Sequence, residues 1–324
     1  MNDFSISVII PVYNAVGSLA AAVGSVLAHD PKNIEIIAVD DGSDDGSAGL
    51  LDSIAAKDGR VRVIHRENGG QFAARQQGIA AARGEYLMFV DSDDTIEADS
   101  MSIIREALAD GDTDILMFCG SIYENGMPTG RSIGELCDSA GAVAVEKLRQ
   151  SLAFSNDSNS LCTKVFRRGL FEGDTTDYSA FCGTCCGEDK ARLLYPVTAA
   201  KKIKYIPDRL YRYDHREGSA MRSCGVESIK RMMAGEMFGL VLEYMKRWGM
   251  DDSASLERFF VYYLRNYLSV YYGVRKRLKT TDERRAFRRY PWRDVIMSDA
   301  LKYRKSAMLS KKEKIMLAAA AMRL

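Results

Sequence analysis

Carboxylates stand where apolar runs stop. The run Tyr86-Leu87-Met88-Phe89-Val90 ends abruptly in Asp91-Ser92-Asp93-Asp94, and Ile34-Glu35-Ile36-Ile37-Ala38-Val39 ends in Asp40-Asp41. Hard oxygen ligands at i and i+2 can converge on one divalent cation, and Mg²⁺ or Mn²⁺ held this way usually also binds substrate phosphates. Asp91 and Asp93 are therefore candidate metal ligands. Tyr13, just past a run that ends at Pro11, can stack on a flat base, and the Asp41 carboxylate can accept a ring N–H such as uracil N3–H. Plainer roles compete: Asp93 or Asp94 could cap a helix beginning near Glu97, and Asp40-Asp41 could serve the turn alone.

These acids need a frame that brings strand ends together. Residues 5–11, 34–39, 61–64 and 85–90 read as strands, and Leu19, Val23, Val26 and Leu27, then Leu50, Leu51 and Ile54, then the alanine-rich stretch 70–82 read as helices between them. Strands alternating with helices imply a doubly wound, mostly parallel α/β sheet. Ligands of such sheets bind outside the carboxyl ends of the strands, where Pro11, Asp40-Asp41 and Asp91-Asp93 all fall.

The chain has 324 residues, 47% apolar and 27% charged, as expected of a globular protein. Its net charge of +1 conceals an asymmetry, because residues 273–324 carry 16 Lys and Arg against 5 Asp and Glu. No apolar run reaches the roughly 18 residues needed to span a bilayer, and the N-terminus lacks a secretory pattern. A cytoplasmic protein with free thiols is expected from that and from an odd seven cysteines. Neither GxGxxG nor GxxxxGK[ST] occurs, which argues against dehydrogenase and P-loop chemistry.

Four segments in order carry a resemblance: Ser7-Val8-Ile9-Ile10-Pro11-Val12-Tyr13-Asn14; Val39-Asp40-Asp41-Gly42-Ser43-Asp44-Asp45-Gly46-Ser47; Glu67-Asn68-Gly69-Gly70 with Ala73-Ala74-Arg75; and Gly84-Glu85-Tyr86 with Asp91-Ser92-Asp93-Asp94. Together they resemble the family 2 glycosyltransferases. The resemblance implies a Rossmann-like GT-A fold that transfers a sugar from a UDP-linked donor with inversion, using Mn²⁺ or Mg²⁺. By position it implies that Pro11 and Tyr13 frame the base, Asp41 reads uracil, Asp91 lies near ribose and metal, and Asp93 ligates the metal. Asn14, Asp40, Gly70, Arg75 and Ser92 complete the donor site. Gln76 departs from the asparagine expected after Ala-Ala-Arg.

The second half follows less strictly. Residues 115–118, 161–166, 201–207 and 210–213 read as strands, Tyr123-Glu124-Asn125-Gly126 as a hairpin turn, and 173–184 as an aperiodic loop. The resemblance makes Glu188-Asp189 the acidic pair at a helix head, with Asp189 as the general base; two acids there also answer the helix dipole. His215, near a loosely matching closing segment, becomes a third candidate metal ligand. Cys182, Cys185 and Cys186 have zinc-like spacing but lack a fourth ligand.

Beyond residue 222 helical stripes dominate, Met232, Met233, Met237, Leu240, Val241 and Tyr244 forming one and Phe259, Tyr262, Tyr263, Asn266, Tyr267 and Tyr271 another. The expected division is a catalytic domain, 1–222, with a donor half to residue 95 and an acceptor half after it, then a basic helical extension, 223–324. Its Lys and Arg, interleaved with Tyr290 and Trp292, suit an anionic membrane surface, which would place the protein on the inner face of the plasma membrane. No nucleic-acid recognition pattern accompanies the charge. The expected acceptor is a saccharide or lipid-linked saccharide. A catalytically silent sugar-nucleotide-binding scaffold would share the donor site but lack turnover.

Overall fold

Strand β1 (Ile6–Val12) is buried at all seven positions and β2 (Ile34–Asp40) at all but one. Runs without polar alternation make strands covered on both faces. In the computed structural model, which describes residues 5–29, 33–137, 139–182, 187–215, 236–278, 280–289 and 298–321, helices α1 (Leu19–Leu27), α2 (Ser47–Ala55) and α3 (Gln71–Ala81) alternate with these strands and with β3 (Val61–His65) and β4 (Tyr86–Phe89). Ile6 pairs with both Ile34 and Tyr86 in parallel register, and Val12 lies opposite Asp40. The strand-end acids consequently share one edge.

The sheet continues through β5 (Thr95–Ile96), β6 (Ile115–Glu124), β7 (Met127–Ile133), β8 (Gly141–Val143), β9 (Lys164–Arg167) and β10 (Ile203–His215), with α4 (Ser100–Ala107), α5 (Val145–Phe154) and α6 (Glu188–Ala199) between them. The order is β3-β2-β1-β4-β9-β6-β10-β5. β9 runs antiparallel to both β4 and β6, which leaves β6 and its parallel partner β10 aligned with the first four strands. The sheet is thus mostly parallel, with β5, β7, β8 and β9 reversed.

Several local expectations change. The helix expected near Glu97 begins at Ser100 with Asp99 before it, because Thr95 and Ile96 pair with Arg212 and Tyr211 instead. Residues 201–207 and 210–213 are one strand, whose register slips between Tyr205 and Tyr211 around Pro207, a residue with no N–H for the ladder. The strand expected over 161–166 starts at Lys164, since the Lys164 amide closes a turn onto Leu161 O at 3.1 Å. Within the loop 173–184, Ser179–Phe181 form a 3₁₀ turn, and the Tyr178 ring packs 4.9 Å from Phe72 of α3.

The chain divides into two units, Met1–Leu152 with Asn156–Arg222, and Ala153–Ser155 with Ser223–Leu324. The second contains α7 (Glu236–Arg247), α8 (Ser253–Arg277), α9 (Thr281–Arg289) and α10 (Lys311–Ala321). Asp252 caps α8 by accepting from the Ala254 and Ser255 amides at 2.9 and 3.1 Å. Phe238 meets Tyr263 edge-on at 4.6 Å, and Arg265 pairs with Glu313 at 2.8 Å, tying α8 to α10. Met232, Met233, Tyr290 and Trp292 lie outside the described residues. Among those described, no helix is long and apolar enough to cross a membrane.

Candidate active site

Arg75 is the floor of the site. It sits on the buried face of α3, 3% exposed, and its guanidinium forks between two acids, Nη2 donating to Asp91 Oδ1 at 2.8 Å and Nη1 to Asp189 Oδ1 at 2.5 Å. Asp91 follows β4, while Asp189 stands in the first turn of α6. Gln71, one turn before Arg75 on the same helix face, donates to the same Asp91 oxygen at 3.0 Å. Asp189 Oδ2 accepts the Leu161 amide at 3.2 Å. Asp91 and Asp189 keep 21% and 26% of their side-chain surface open, so both present carboxylate above a buried cation.

Strand-end loops close round this pair. Asp94 is buried; its Oδ2 accepts the Tyr211 hydroxyl at 2.6 Å and its Oδ1 the Asp214 amide at 3.0 Å. The Tyr211 oxygen in turn accepts the Asp91 amide at 3.1 Å. The carboxyl end of β10 is thereby fastened to the acids after β4. Ser92 contributes its carbonyl to Ser18 Oγ at 2.9 Å. His215 ends β10, and its side chain lies outside the described residues, as do Cys185 and Cys186.

At the carboxyl end of β1, Pro11 is buried and Tyr13 is 52% exposed, an open ring just past the strand. Asn14 adopts a left-handed φ of 49° and braces two loops, its amide donating to Ser43 Oγ and its Oδ1 accepting the Asp44 amide. Asp40 Oδ1 accepts the Ser43 amide at 3.1 Å and Oδ2 lies 2.9 Å from His65 Nδ1, so one oxygen engages the loop and the other β3. Hydrogen bonds from these partners hold the Asp40 carboxyl below its ordinary range despite burial, and the pairing raises His65. Asp40 and Asn14 therefore shape the loop between β2 and α2 from within.

Asp41 is buried under three donors, Gly69 N at 3.0 Å and Arg66 Nη1 at 2.5 Å on Oδ1, and Gly70 N at 2.7 Å on Oδ2. Gly70, at φ 86°, bends the chain into α3 so that its amide can reach that oxygen, a conformation costly for a residue with a Cβ. Oδ2 takes one bond against two on Oδ1. If the chain holds the UDP-linked donor that the motif order implies, Asp41→Ala should weaken UDP binding by about 1.5–3 kcal/mol, the worth of a charged hydrogen bond. If Asp41 reads the base, discrimination of UDP against CDP and GDP shrinks in nucleotide titrations; an equal loss for all three would make it only a brace.

Negative charge exceeds positive here. Burial raises the Asp189 carboxyl against the opposing pull of Arg75, and burial with the adjacent Asp189 pushes Glu188 up to about 7. Burial and the nearby Asp91 and Asp93 carboxylates lift Asp94 well above its ordinary range. Among the described residues no three His, Cys, Asp or Glu side chains converge as a metal-ligand set. An ion bound by one or two carboxylates plus phosphates fits such a donor set, and it is Asp91 Oδ1, not Oδ2, that takes the Arg75 and Gln71 bonds.

A profile described as Glycosyl transferase family 2 matches residues 7–173, just over half of the chain. The chain belongs to glycosyl transferase family 2. Similar family members include the glycosyltransferase GlyG of Streptococcus pneumoniae, 32% identical over 67% of this chain and 73% of that protein. The glycosyltransferase EpsJ of Bacillus subtilis is 28% identical over 66% of this chain and 62% of its own length. Among solved structures, S. aureus TarS 1-349 in complex with UDP-GlcNAc superposes with a TM-score of 0.72 over 98% of this chain and 88% of that one, at 20% identity. This family 2 glycosyltransferase accordingly has the GT-A fold with a helical C-terminal region.

Sequence order alone did not reveal the partners of the family's acids. Arg75, expected beside the donor, lies beneath both acids; Gln71, Arg66, Tyr211 and the Leu161 amide were not anticipated. Gln71 and Arg75 at i, i+4 on an otherwise apolar-packed helix were the signal available.

Proposed function

We propose that this glycosyltransferase moves a sugar from a UDP-sugar to a hydroxyl of a saccharide or lipid-linked saccharide, with inversion, in cell-envelope or exopolysaccharide synthesis. The observation that carries the reading is the Arg75 fork, which joins an acid at the donor end of β4 to an acid at the head of α6. The UDP-GlcNAc complex of TarS supports the donor class.

In this reading the Tyr13 ring stacks on uracil, and Asp41 accepts its N3–H. Asp91 and Asp93 would hold Mn²⁺ or Mg²⁺, which when bound supplies positive charge to the departing diphosphate. Asp189 takes the acceptor's proton as its oxygen attacks the anomeric carbon. The carbon–oxygen bond to the β-phosphate breaks with its electron pair leaving on UDP, so one displacement inverts the centre. A base must be unprotonated but basic, which suits a carboxylate raised by burial and held in place by Arg75 and Leu161. The basic residues Arg275, Lys276, Arg284, Arg285, Lys311 and Lys312 are exposed and would meet anionic lipid on a cytoplasmic membrane face.

The test is UDP release from UDP-glucose, UDP-galactose and their N-acetyl forms, with and without Mn²⁺. One donor should stand out and depend on the ion; no release above the uncatalysed rate from any of them would end the reading. Asp93→Ala should abolish the Mn²⁺-dependent part of donor affinity while leaving the melting temperature near that of the parent. Calorimetry showing unchanged, Mn²⁺-dependent binding in that variant would remove Asp93 from the site.

A further inference from the structure

Lys164 is fully buried at the start of β9, opposite Met117 of β6 and followed by Val165 and Phe166. An ammonium in such a place costs several kcal/mol of desolvation unless its protons are satisfied. Nζ donates to Ser158 O at 2.8 Å and Ser160 O at 2.6 Å, two carbonyls of the turn that precedes its own strand. Thr163 Oγ1 also donates to the Ser160 carbonyl, at 3.5 Å, and the Lys164 amide closes the turn onto Leu161 O. The next amide in that turn, Leu161 N–H, is the one that points at Asp189 Oδ2, 3.2 Å away.

We propose that Lys164 is a positioning residue for the Asp189 carboxylate, clamping the 158–161 turn so that the Leu161 N–H is aimed at Asp189 Oδ2. The inference rests on the reading of Asp189 as general base. Arg75 holds one oxygen of that carboxylate from α3, and the clamped turn holds the other from β9. Two fixed bonds on different oxygens set the plane of the carboxylate, and with it the direction from which an acceptor hydroxyl can deliver its proton. The titratable groups facing the ammonium are the Asp189 carboxylate on α6 and the Cys162 thiol in the turn, which burial keeps neutral, while β6 presents Met117. Burial brings Lys164 down to about 7, with Asp189 opposing that fall, so ammonium and carboxylate support each other's charge.

A lysine that only filled space would be replaceable without moving the base. Removing the ammonium and loosening the Leu161 bond both disfavour the ionised Asp189, so its carboxyl should titrate higher, by about one pH unit. The experiment measures UDP release from the fastest UDP-sugar of the donor screen, with water standing in for the acceptor hydroxyl, as a function of pH for Lys164→Met and Lys164→Gln. UDP affinity and melting temperature are measured alongside. The expected result is donor affinity within twofold of the parent, kcat at pH 7 lower by about tenfold, and an acid limb moved to higher pH so that activity returns on raising it. Lys164→Gln, which keeps an N–H donor for the carbonyls, should fall between, and it decides the matter where Lys164→Met does not fold. An unmoved limb and unchanged kcat in Lys164→Gln would overturn the positioning role. Asp189→Asn run in parallel separates the two claims. If that variant is inactive while the Lys164 variants behave like the parent, only the positioning inference fails; if it stays active, the base assignment itself fails.

Discussion

Asp189→Asn should lose sugar transfer by about 10²–10⁴-fold, the usual contribution of a positioned general base, while binding UDP almost as the parent does. Asparagine keeps the side-chain shape, can still accept the Leu161 amide, and caps helices about as well as aspartate. It cannot take a proton. A purely structural Asp189 would therefore leave turnover nearly intact, and that outcome at saturating donor would shift the role to Glu188. The parent's pH profile adds a second reading of the same group. The base works only when ionised, and burial raises Asp189 while Glu188 is pushed up to about 7. Two adjacent acids titrate as a pair, so kcat should climb with pH through the neutral range and then level. A profile flat from pH 5 to 8 would contradict that environment.

Arg75→Met should damage both folding and chemistry. Removing one partner of a buried ion pair leaves the other uncompensated, at a typical cost of 3–5 kcal/mol, and the partly open Asp91 and Asp189 place this case at roughly 3 kcal/mol. Transfer should fall as well, because an Asp189 without its cation is harder still to ionise than in the parent. The sign of the pH dependence follows from that same group. With its folded pKa raised above the unfolded value, Asp189 favours the folded state at low pH and opposes it once pH rises through the folded pKa. The deficit in urea midpoint between variant and parent should accordingly be larger at pH 8 than at pH 5.5. Arg75→Lys keeps the charge but lacks the planar fork that reaches two carboxylates, and should recover stability better than turnover. A deficit independent of pH would show that lost packing, not the exposed carboxylate, dominates.

The donor half was legible because its signals are local. Apolar runs that end in acids declare both a strand and its carboxyl end, and residues 34–39 and 86–90 do so within a few positions. Pairings between distant segments were not legible in this way. Tyr211 read as one more strand residue, although its hydroxyl ties Asp94 and the Asp91 amide across 117 and 120 positions. Asp94 looked like a helix cap because capping is what an exposed aspartate before a helix does; buried beneath β10, it serves that strand instead. Lys164 is the exception: a lysine within Leu161-Cys162-Thr163-Lys164-Val165-Phe166 must be buried if the run is a central strand, and a buried charge requires partners. Asp40 and Asn14, which the resemblance places in the donor site, also accept amides within the loop, because short polar side chains readily satisfy neighbouring backbone amides.

The two arms of Arg75 differ greatly in reach along the chain, 16 residues to Asp91 and 114 to Asp189. Closing the longer loop costs about 1.7 kcal/mol more entropy than closing the shorter one. During synthesis the first arm can form once β4 has left the ribosome, but the second waits for α6, after β6, β9 and the intervening helices have been made. The nucleotide-facing strands are therefore able to assemble as a vectorial early product, with one guanidinium nitrogen still hydrated. Asp189 reaches that nitrogen last, so on the proposed reading of Asp189 as base the charge cluster would be complete only once α6 has docked.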